Sequence, residues 1–305
     1  MSIRPEAIHF LLTYRCTYAC DHCFLWGSPE QEGTMTCAQV TSAIDQAAAH
    51  GSVNMVYFEG GEPTLVYPVM LAAARHARER GLDFGVVTNC HFAESPEDAA
   101  LWFAPLKELG IADLSLSSYA YFLAGEPERL LRNAVVAARD LELPLAVLEV
   151  GTDADLSDIG VPSEGCSAVM YKGRAAVELA PEQADAEHGG RPAAAFTECP
   201  FEDLDAPERG HVGCDGEFQL CQGISAGNVW ARGLADVFDR CEPAAMPVVG
   251  DLLRGGPYEL ARAHGVQPAR ERYADACHLC YETRLQLRER FPHILTPDQA
   301  YGVVE

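Results

Sequence analysis

Ile8-His9-Phe10-Leu11-Leu12-Thr13-Tyr14-Arg15-Cys16-Thr17-Tyr18-Ala19-Cys20-Asp21-His22-Cys23 runs from an apolar, strand-like segment directly into three cysteines within eight residues. Three thiolates on one loop, spaced C-x3-C-x2-C, can close around a cubane iron–sulfur cluster. Four are needed to saturate its irons, so three leave one iron open to a further ligand. The alternative is zinc with a borrowed fourth ligand such as His22, but zinc sites habitually combine one close pair with a distant second pair.

Outward from this loop, residues 8–172 alternate short β-rich runs with longer helical patterns, the signature of repeated βα units around a parallel sheet. Strands are expected at 8–13, 54–58, 84–88, 113–117, 145–150 and 167–171. Helices are expected from Thr36, which with Gln39 forms a capping box, to Ala49 and a stop near Gly51, and over about 68–80, 96–109 and 126–141. Six such units make either an open sheet or a curved, incomplete barrel with right-handed crossovers. Residues 181–198, rich in Ala, Pro, Gly and charge, read as a linker. Residues 199–305 carry six cysteines with weak secondary-structure signals and end in a helix and tail, the pattern of a small unit organised by metal.

The 305 residues are 48% hydrophobic, enough for a large core with an appended unit, which excludes a disordered chain. No apolar run is long enough to span a bilayer, and no export signal precedes the first strand, so the twelve cysteines are expected in the reducing cytoplasm, where clustered thiols bind metal. A formal charge of −23, from 22 Lys+Arg against 45 Asp+Glu, argues against nucleic-acid and anionic-membrane partners.

The second motif is Phe58-Glu59-Gly60-Gly61-Glu62-Pro63 at the end of the second strand. Two glycines after a strand allow a sharp turn and a close backbone approach, and an ordinary turn would read the same way. Taken in order, the cysteine loop and this GGEP one βα unit later resemble the radical S-adenosylmethionine (SAM) superfamily. The resemblance implies a partial (β/α)6 barrel over residues 1–180. It implies a [4Fe-4S] cluster on Cys16, Cys20 and Cys23 whose open iron binds SAM, with reductive cleavage to a 5′-deoxyadenosyl radical. It further implies that the His22 backbone touches the adenine, that Gly60, Gly61, Glu62 and Pro63 hold the methionyl amino group, and that Asn89, after Thr88, with Ser115, Ser117 and Glu149 at later strand ends, supplies further contacts. Each of these last could equally be a satisfied strand-end group, and the catalytic acid or base is left unknown. Tyr171-Lys172-Gly173-Arg174-Ala175 resembles a GRA stretch that closes the last barrel strand in relatives with extra clusters; Arg174 could hold a carboxylate or make a surface ion pair.

In the C-terminal part, Cys199, then Cys214 and Gly216-x4-Cys221, then Gly227-Asn228, then Cys277-x2-Cys280 can supply four thiolates to one zinc ion or one cluster. Their order resembles the Twitch, or shortened SPASM, extension of radical SAM enzymes and implies one auxiliary [4Fe-4S] cluster on Cys199, Cys221, Cys277 and Cys280, with Cys214 as the alternate ligand. Cys37, Cys90, Cys166 and Cys241 stand alone and read as small buried hydrophobes.

The function implied is a radical SAM oxidoreductase that abstracts hydrogen from a peptide (RiPP-like) or a small natural-product precursor, leading to oxidation or bond formation, with a flavodoxin- or ferredoxin-type electron donor. The first strand leaves no room ahead of it for a leader-binding domain, which leans towards a small-molecule or separately delivered peptide substrate. Dehydrogenation of a sugar- or cyclitol-type alcohol is the alternative within the family, and a non-enzymatic iron–sulfur or zinc interaction protein is the alternative outside it. Methyl transfer without a radical needs no open-iron triplet.

Overall fold

The computed structural model describes residues 2–118, 128–151, 167–186 and 189–303, and divides into two compact units. The first, residues 7–20 and 27–169, is built on β1 (Ala7–Leu11), α1 (Cys37–His50), β2 (Met55–Glu59), α2 (Tyr67–Glu79), β3 (Asp83–Thr88), α3 (Pro96–Glu108), β4 (Asp113–Ser117), α4 (Arg129–Asp140) and β5 (Leu145–Leu148). Each strand pairs in parallel with the next, giving the order β1-β2-β3-β4-β5. The class is therefore α/β with a mostly parallel sheet.

The strands alternate. One face carries Ile8, Phe10, Val56, Phe58, Phe84, Val86, Leu114 and Leu116, all fully buried. In register, Phe10 pairs with Phe58, Phe58 with Val86 and Val86 with Leu114, so apolar rows cross the sheet. Each such Phe side chain contributes about 1.5–3 kcal/mol through burial. Helix α4 answers with Leu130, Leu131, Ala134, Val135 and Ala138 on one stripe. The opposite face is polar: the row His9, Tyr57, Gly85, Asp113 runs across four strands. A strand covered by helices on both faces reads as continuously apolar, so this period of two marks a face reserved for something other than helix packing.

Among the described residues the first unit shows five strands where six were expected. Of 167–171, only Ser167 pairs, in a single parallel bridge to Val150. The backbone donors that a sixth strand would use are spent elsewhere: the Tyr171 N–H goes to Asp275 Oδ2 at 3.2 Å and the Lys172 N–H turns back to the Met170 carbonyl at 2.8 Å.

The second unit comprises residues 1–6, 21–26 and 170–305. It contains α5 (Ala175–Glu178), α6 (Ala180–Asp185), β6 (Arg209–Val212), β7 (Glu217–Cys221), β8 (Ile224–Asn228), α7 (Val229–Arg232), α8 (Leu234–Arg240), α9 (Val249–His264), which is broken at Gly255–Gly256, and α10 (Ala276–Leu287). Strands β6, β7 and β8 are antiparallel. The stretch expected to be a linker is corrected here: α6 overlaps its start, and Ala193 and Phe196 bury against Tyr273, Ala276 and Leu279. Its alanines hid the period, and Phe196 is the apolar anchor. The boundary expected at residue 180 falls at Met170 instead, and the unit has an apolar core of its own, with Phe218, Val237, Phe238 and Leu260 buried.

The first helix forms as its ends dictate. Thr36 accepts from the Gln39 N–H, the Gln39 side chain accepts from the Thr36 N–H, and Gly51 closes the other end at φ +80°. Thr36→Ala is expected to lower the unfolding free energy by about 1 kcal/mol in urea titrations, with Thr36→Ser restoring most of it.

Candidate functional site

Past the end of β1 the chain is held by the segment that follows the cysteine loop. Tyr14 N–H binds the Gly33 carbonyl, Cys16 N–H binds the Ser28 carbonyl at 3.0 Å, and the Thr13 hydroxyl donates to the Gly33 carbonyl at 2.9 Å. The exit of β2 lies along the other side. Gly61 N–H donates to the Thr13 carbonyl at 2.7 Å and Glu62 N–H to the Arg15 carbonyl at 2.9 Å. This explains the glycine pair. A Cβ on Gly60 would stand 2.5 Å from the Thr13 carbonyl oxygen, at φ +138°, and one on Gly61 would stand 2.1 Å from that of Arg15. The close approach inferred from the sequence is thus made to the base of the cysteine loop.

Glu62 is 1% exposed, and its carboxylate ties three elements together. Oε1 accepts from the Thr64 N–H (3.0 Å), the Thr64 hydroxyl (2.6 Å) and the Thr88 hydroxyl (2.9 Å); Oε2 accepts from the Asn89 N–H (2.9 Å). Pro63 opens the short 3-10 turn that this carboxylate caps. Asn89 then turns its Nδ2 to Thr17 Oγ1 at 2.9 Å and to Cys16 Sγ at 3.5 Å. A charge-sharing N–H at a cysteine sulfur suits a thiolate ligand, and the half-buried Cys16, Cys20 and Cys23 keep the access an exchangeable group needs.

Within the second unit, burial holds His22 neutral by lowering its pKa to about 4, with Arg174 adding to the effect and Asp21 opposing it. The Arg174 N–H binds the Cys23 carbonyl at 2.9 Å, Gly173 at φ +60° packs on the Phe24 backbone, and the Arg174 guanidinium stacks 5.5 Å from the Trp26 ring. The GRA stretch therefore clasps the segment that contains Cys23.

On the polar sheet face, Ser115 donates to Asp113 Oδ1 at 3.1 Å, and Ser117 lies half-buried on the same side. The sequence reading missed this row's other members. Tyr57 reaches across β3 to Asp113 Oδ2 at 3.0 Å, over Gly85, where any Cβ would strike the Tyr57 ring; His9 stacks on Tyr57 at 4.5 Å and bonds Glu59 at 2.9 Å. The signal was the alternation of polar residues in β1, β2 and β4. Glu149, beyond β5, is buried, and its carbonyl accepts from Ser167.

The second cysteine set converges. Cys199, Cys221, Cys277 and Cys280 line one cavity together with Lys172 and Arg284. Asp275 caps α10 through the His278 N–H, and Cys277 and Cys280, three apart, then share a helix face. Cys221 ends β7 at a tight turn through Gly223, φ +81°. Cys214 is not among the lining residues: it precedes the turn at Gly216, where its carbonyl accepts from Trp230 Nε1 at 3.3 Å. Gly216 and Asn228 serve that turn, since the Trp230 ring fills the space a Cβ would take and Asn228 caps α7. Burial raises the Cys221, Cys277 and Cys280 thiols, Cys280 to about 11, so metal binding there must release protons. A four-thiolate metal group fits this donor set. Of the lone cysteines, Cys90 and Cys241 are buried, Cys37 is exposed because it opens α1 on its solvent side, and Cys166 lies outside the described residues.

Residues 10–119 match the radical SAM superfamily. A tungsten-containing aldehyde ferredoxin oxidoreductase cofactor-modifying protein of Pyrococcus furiosus is 32% identical over 83 residues, 27% of this chain and 23% of that protein. An S-adenosylmethionine-dependent nucleotide dehydratase of Selenomonas ruminantium is 26% identical over 168 residues, 50% of this chain and 60% of that protein. The chain thus spans less than two thirds of the length of either relative. The crystal structure of BtrN in complex with AdoMet and 2-DOIA matches with a TM-score of 0.50 at 18% identity, over 79% of this chain and 85% of that one, a likeness of fold. The likeness to the radical SAM superfamily thus lies in the first unit's parallel strands and the cysteine loop, over about a third of the chain. Among the described residues no helix is long and apolar enough to cross a membrane.

Gly61→Ala is expected to destabilise the domain by about 1–3 kcal/mol in urea unfolding, because the Arg15 carbonyl must move. The same variant should hold less iron after anaerobic reconstitution, since that carbonyl sits one residue before Cys16.

Proposed function

We propose that this chain is a cytoplasmic radical SAM oxidoreductase that abstracts hydrogen from a peptide or small natural-product precursor, leading to oxidation or bond formation. The observation that carries the reading is the Gly60-Gly61-Glu62 seat fitted against the base of the Cys16 loop. Cys16, Cys20 and Cys23 would hold the SAM-binding [4Fe-4S] cluster, and Cys199, Cys221, Cys277 and Cys280 an auxiliary one. The two groups would supply the electron that splits SAM to a 5′-deoxyadenosyl radical and a one-electron acceptor for an oxidised substrate.

The chain's own residues have definite tasks in this reading. Glu62 fixes the relative heights of the β2 and β3 ends, and Asn89 steadies Cys16. Gly60, Gly61, Glu62 and Pro63 would hold the methionyl amino group of SAM, and the His22 backbone would touch the adenine. Ser115, Ser117 and Glu149 remain the proposed further SAM contacts. An external flavodoxin- or ferredoxin-type protein would deliver the electron.

A second reading is favoured by the polar face. The Tyr57–Asp113–Ser115 chain and the His9–Glu59 pair offer donors and a carboxylate to a hydroxylated substrate, as dehydrogenation of a sugar- or cyclitol-type alcohol would need.

Anaerobically reconstituted protein is expected to bind about eight irons per chain as two cubanes and to release 5′-deoxyadenosine from SAM on reduction. Cys20→Ala should reduce that release to background while leaving about four irons in place. Iron-loaded protein that yields no 5′-deoxyadenosine with reductant would sink the proposal. Deuterium transferred into 5′-deoxyadenosine from a labelled alcohol carbon, or from a labelled peptide, would choose between the two substrate readings.

A further inference from the structure

Arg284 is the feature of the second unit that the chemistry so far has not used. It lies one turn beyond Cys280 and two beyond Cys277, so the three share a face of α10 and line the same cavity. It is 2% exposed. Its Nη1 donates to the Gln222 carbonyl at 2.7 Å and faces the Tyr301 hydroxyl at 3.3 Å, while the Tyr301 hydroxyl donates to the Gly223 carbonyl at 2.6 Å. Its Nε–H is buried with no acceptor. Among the described residues no carboxylate pairs with it. A second buried cation, Lys172, 4% exposed, lines the cavity from another segment, but it pairs with Glu202 at 3.4 Å, and Glu202 also faces Arg209 at 3.7 Å.

An unpaired buried guanidinium costs several kcal/mol unless an anion faces it. The groups that line the cavity beside Arg284 are Cys199, Cys221, Cys277 and Cys280, which carry negative charge once they hold a metal. Four thiolates around a [4Fe-4S]2+ core leave a net charge of about −2, and one more electron makes the group more anionic. A fixed cation and an N–H donor at the sulfurs stabilise the reduced form more than the oxidised form.

We propose that Arg284 is a positioning and tuning residue for the auxiliary cluster: its charge and Nε–H raise the cluster's reduction potential and so fit it to accept an electron. Lys172, already neutralised by Glu202, contributes less. This inference rests on the auxiliary-cluster reading above. It also explains why the turn at Gln222–Gly223 is tied to Arg284 and Tyr301, since that turn sets the position of Cys221 beside the same cation.

The test uses the full chain with Cys16, Cys20 and Cys23 all changed to Ala, so that only the second set can hold a cluster, and measures iron content and the midpoint potential by electron paramagnetic resonance titration. Arg284→Gln is expected to keep about four irons and to shift the midpoint to a more negative potential, Arg284→Lys to shift it less, and Lys172→Gln least. A structural role alone would lower the melting temperature and leave the midpoint where it was, and that result overturns the inference. Should Arg284→Gln lose its iron, Arg284→Lys decides: a lowered midpoint supports the inference and an unaltered one overturns it. Protein that takes up zinc, or no iron, before any change at 284 overturns the auxiliary-cluster reading itself, and this inference with it.

Discussion

The contact on which the first unit depends is the meeting of two backbones. The exit of β2 passes so near the carbonyls of Thr13 and Arg15 that no side chain fits at Gly60 or Gly61, and the amides of Gly61 and Glu62 bond those carbonyls. Parallel strands normally part company after their last ladder bond. Here the pairing continues beyond both strands, so the base of the cysteine loop inherits the rigidity of the sheet. Glu62 extends the same constraint to β3 by gathering Thr64, Thr88 and Asn89 on one buried carboxylate. A loop proposed to hold a metal group in one geometry would gain most from support of this kind, because its ligands lie on irregular backbone.

The alternation of the strands follows from the same need. One face carries Phe10, Phe58, Phe84 and Leu114 and supplies the burial that stabilises the unit, while the other keeps His9, Tyr57, Asp113 and Ser115. Polar groups on a buried face lower stability unless they are bonded, and the bonds from Tyr57 and Ser115 to Asp113, and from His9 to Glu59, keep that cost small. The second unit solves a different problem. Its cavity gathers four cysteines, of which burial makes Cys221, Cys277 and Cys280 reluctant to ionise, and a buried arginine beside them would offset the charge a metal creates there.

Some of this was legible along the chain. The strand after which the cysteines come, the capping box at Thr36 and Gln39, and β4 at residues 113–117 are all local patterns, fixed by spacing within a few residues. The sixth strand was not, because the Tyr171 N–H is taken by Asp275, more than a hundred residues away, and the linker was misread because Phe196 finds its partners at Tyr273 and Leu279. Arg284 escaped notice although its spacing from Cys277 and Cys280 placed it on their helix face. An arginine in a helix is usually solvated, and only burial distinguishes this one.

By itself, then, the sequence determined the alternating βα order, the three-thiol loop after the first strand and the glycine pair after the second, since covalent spacing and side-chain period carry those features over short range. The tertiary structure decided what the glycines approach, why Glu62 is buried, which of the five candidate C-terminal cysteines share a cavity, and that a cation with no carboxylate partner among the described residues faces them. These outcomes rest on contacts between residues tens to hundreds of positions apart, where chain connectivity imposes no period and only packing selects the neighbours.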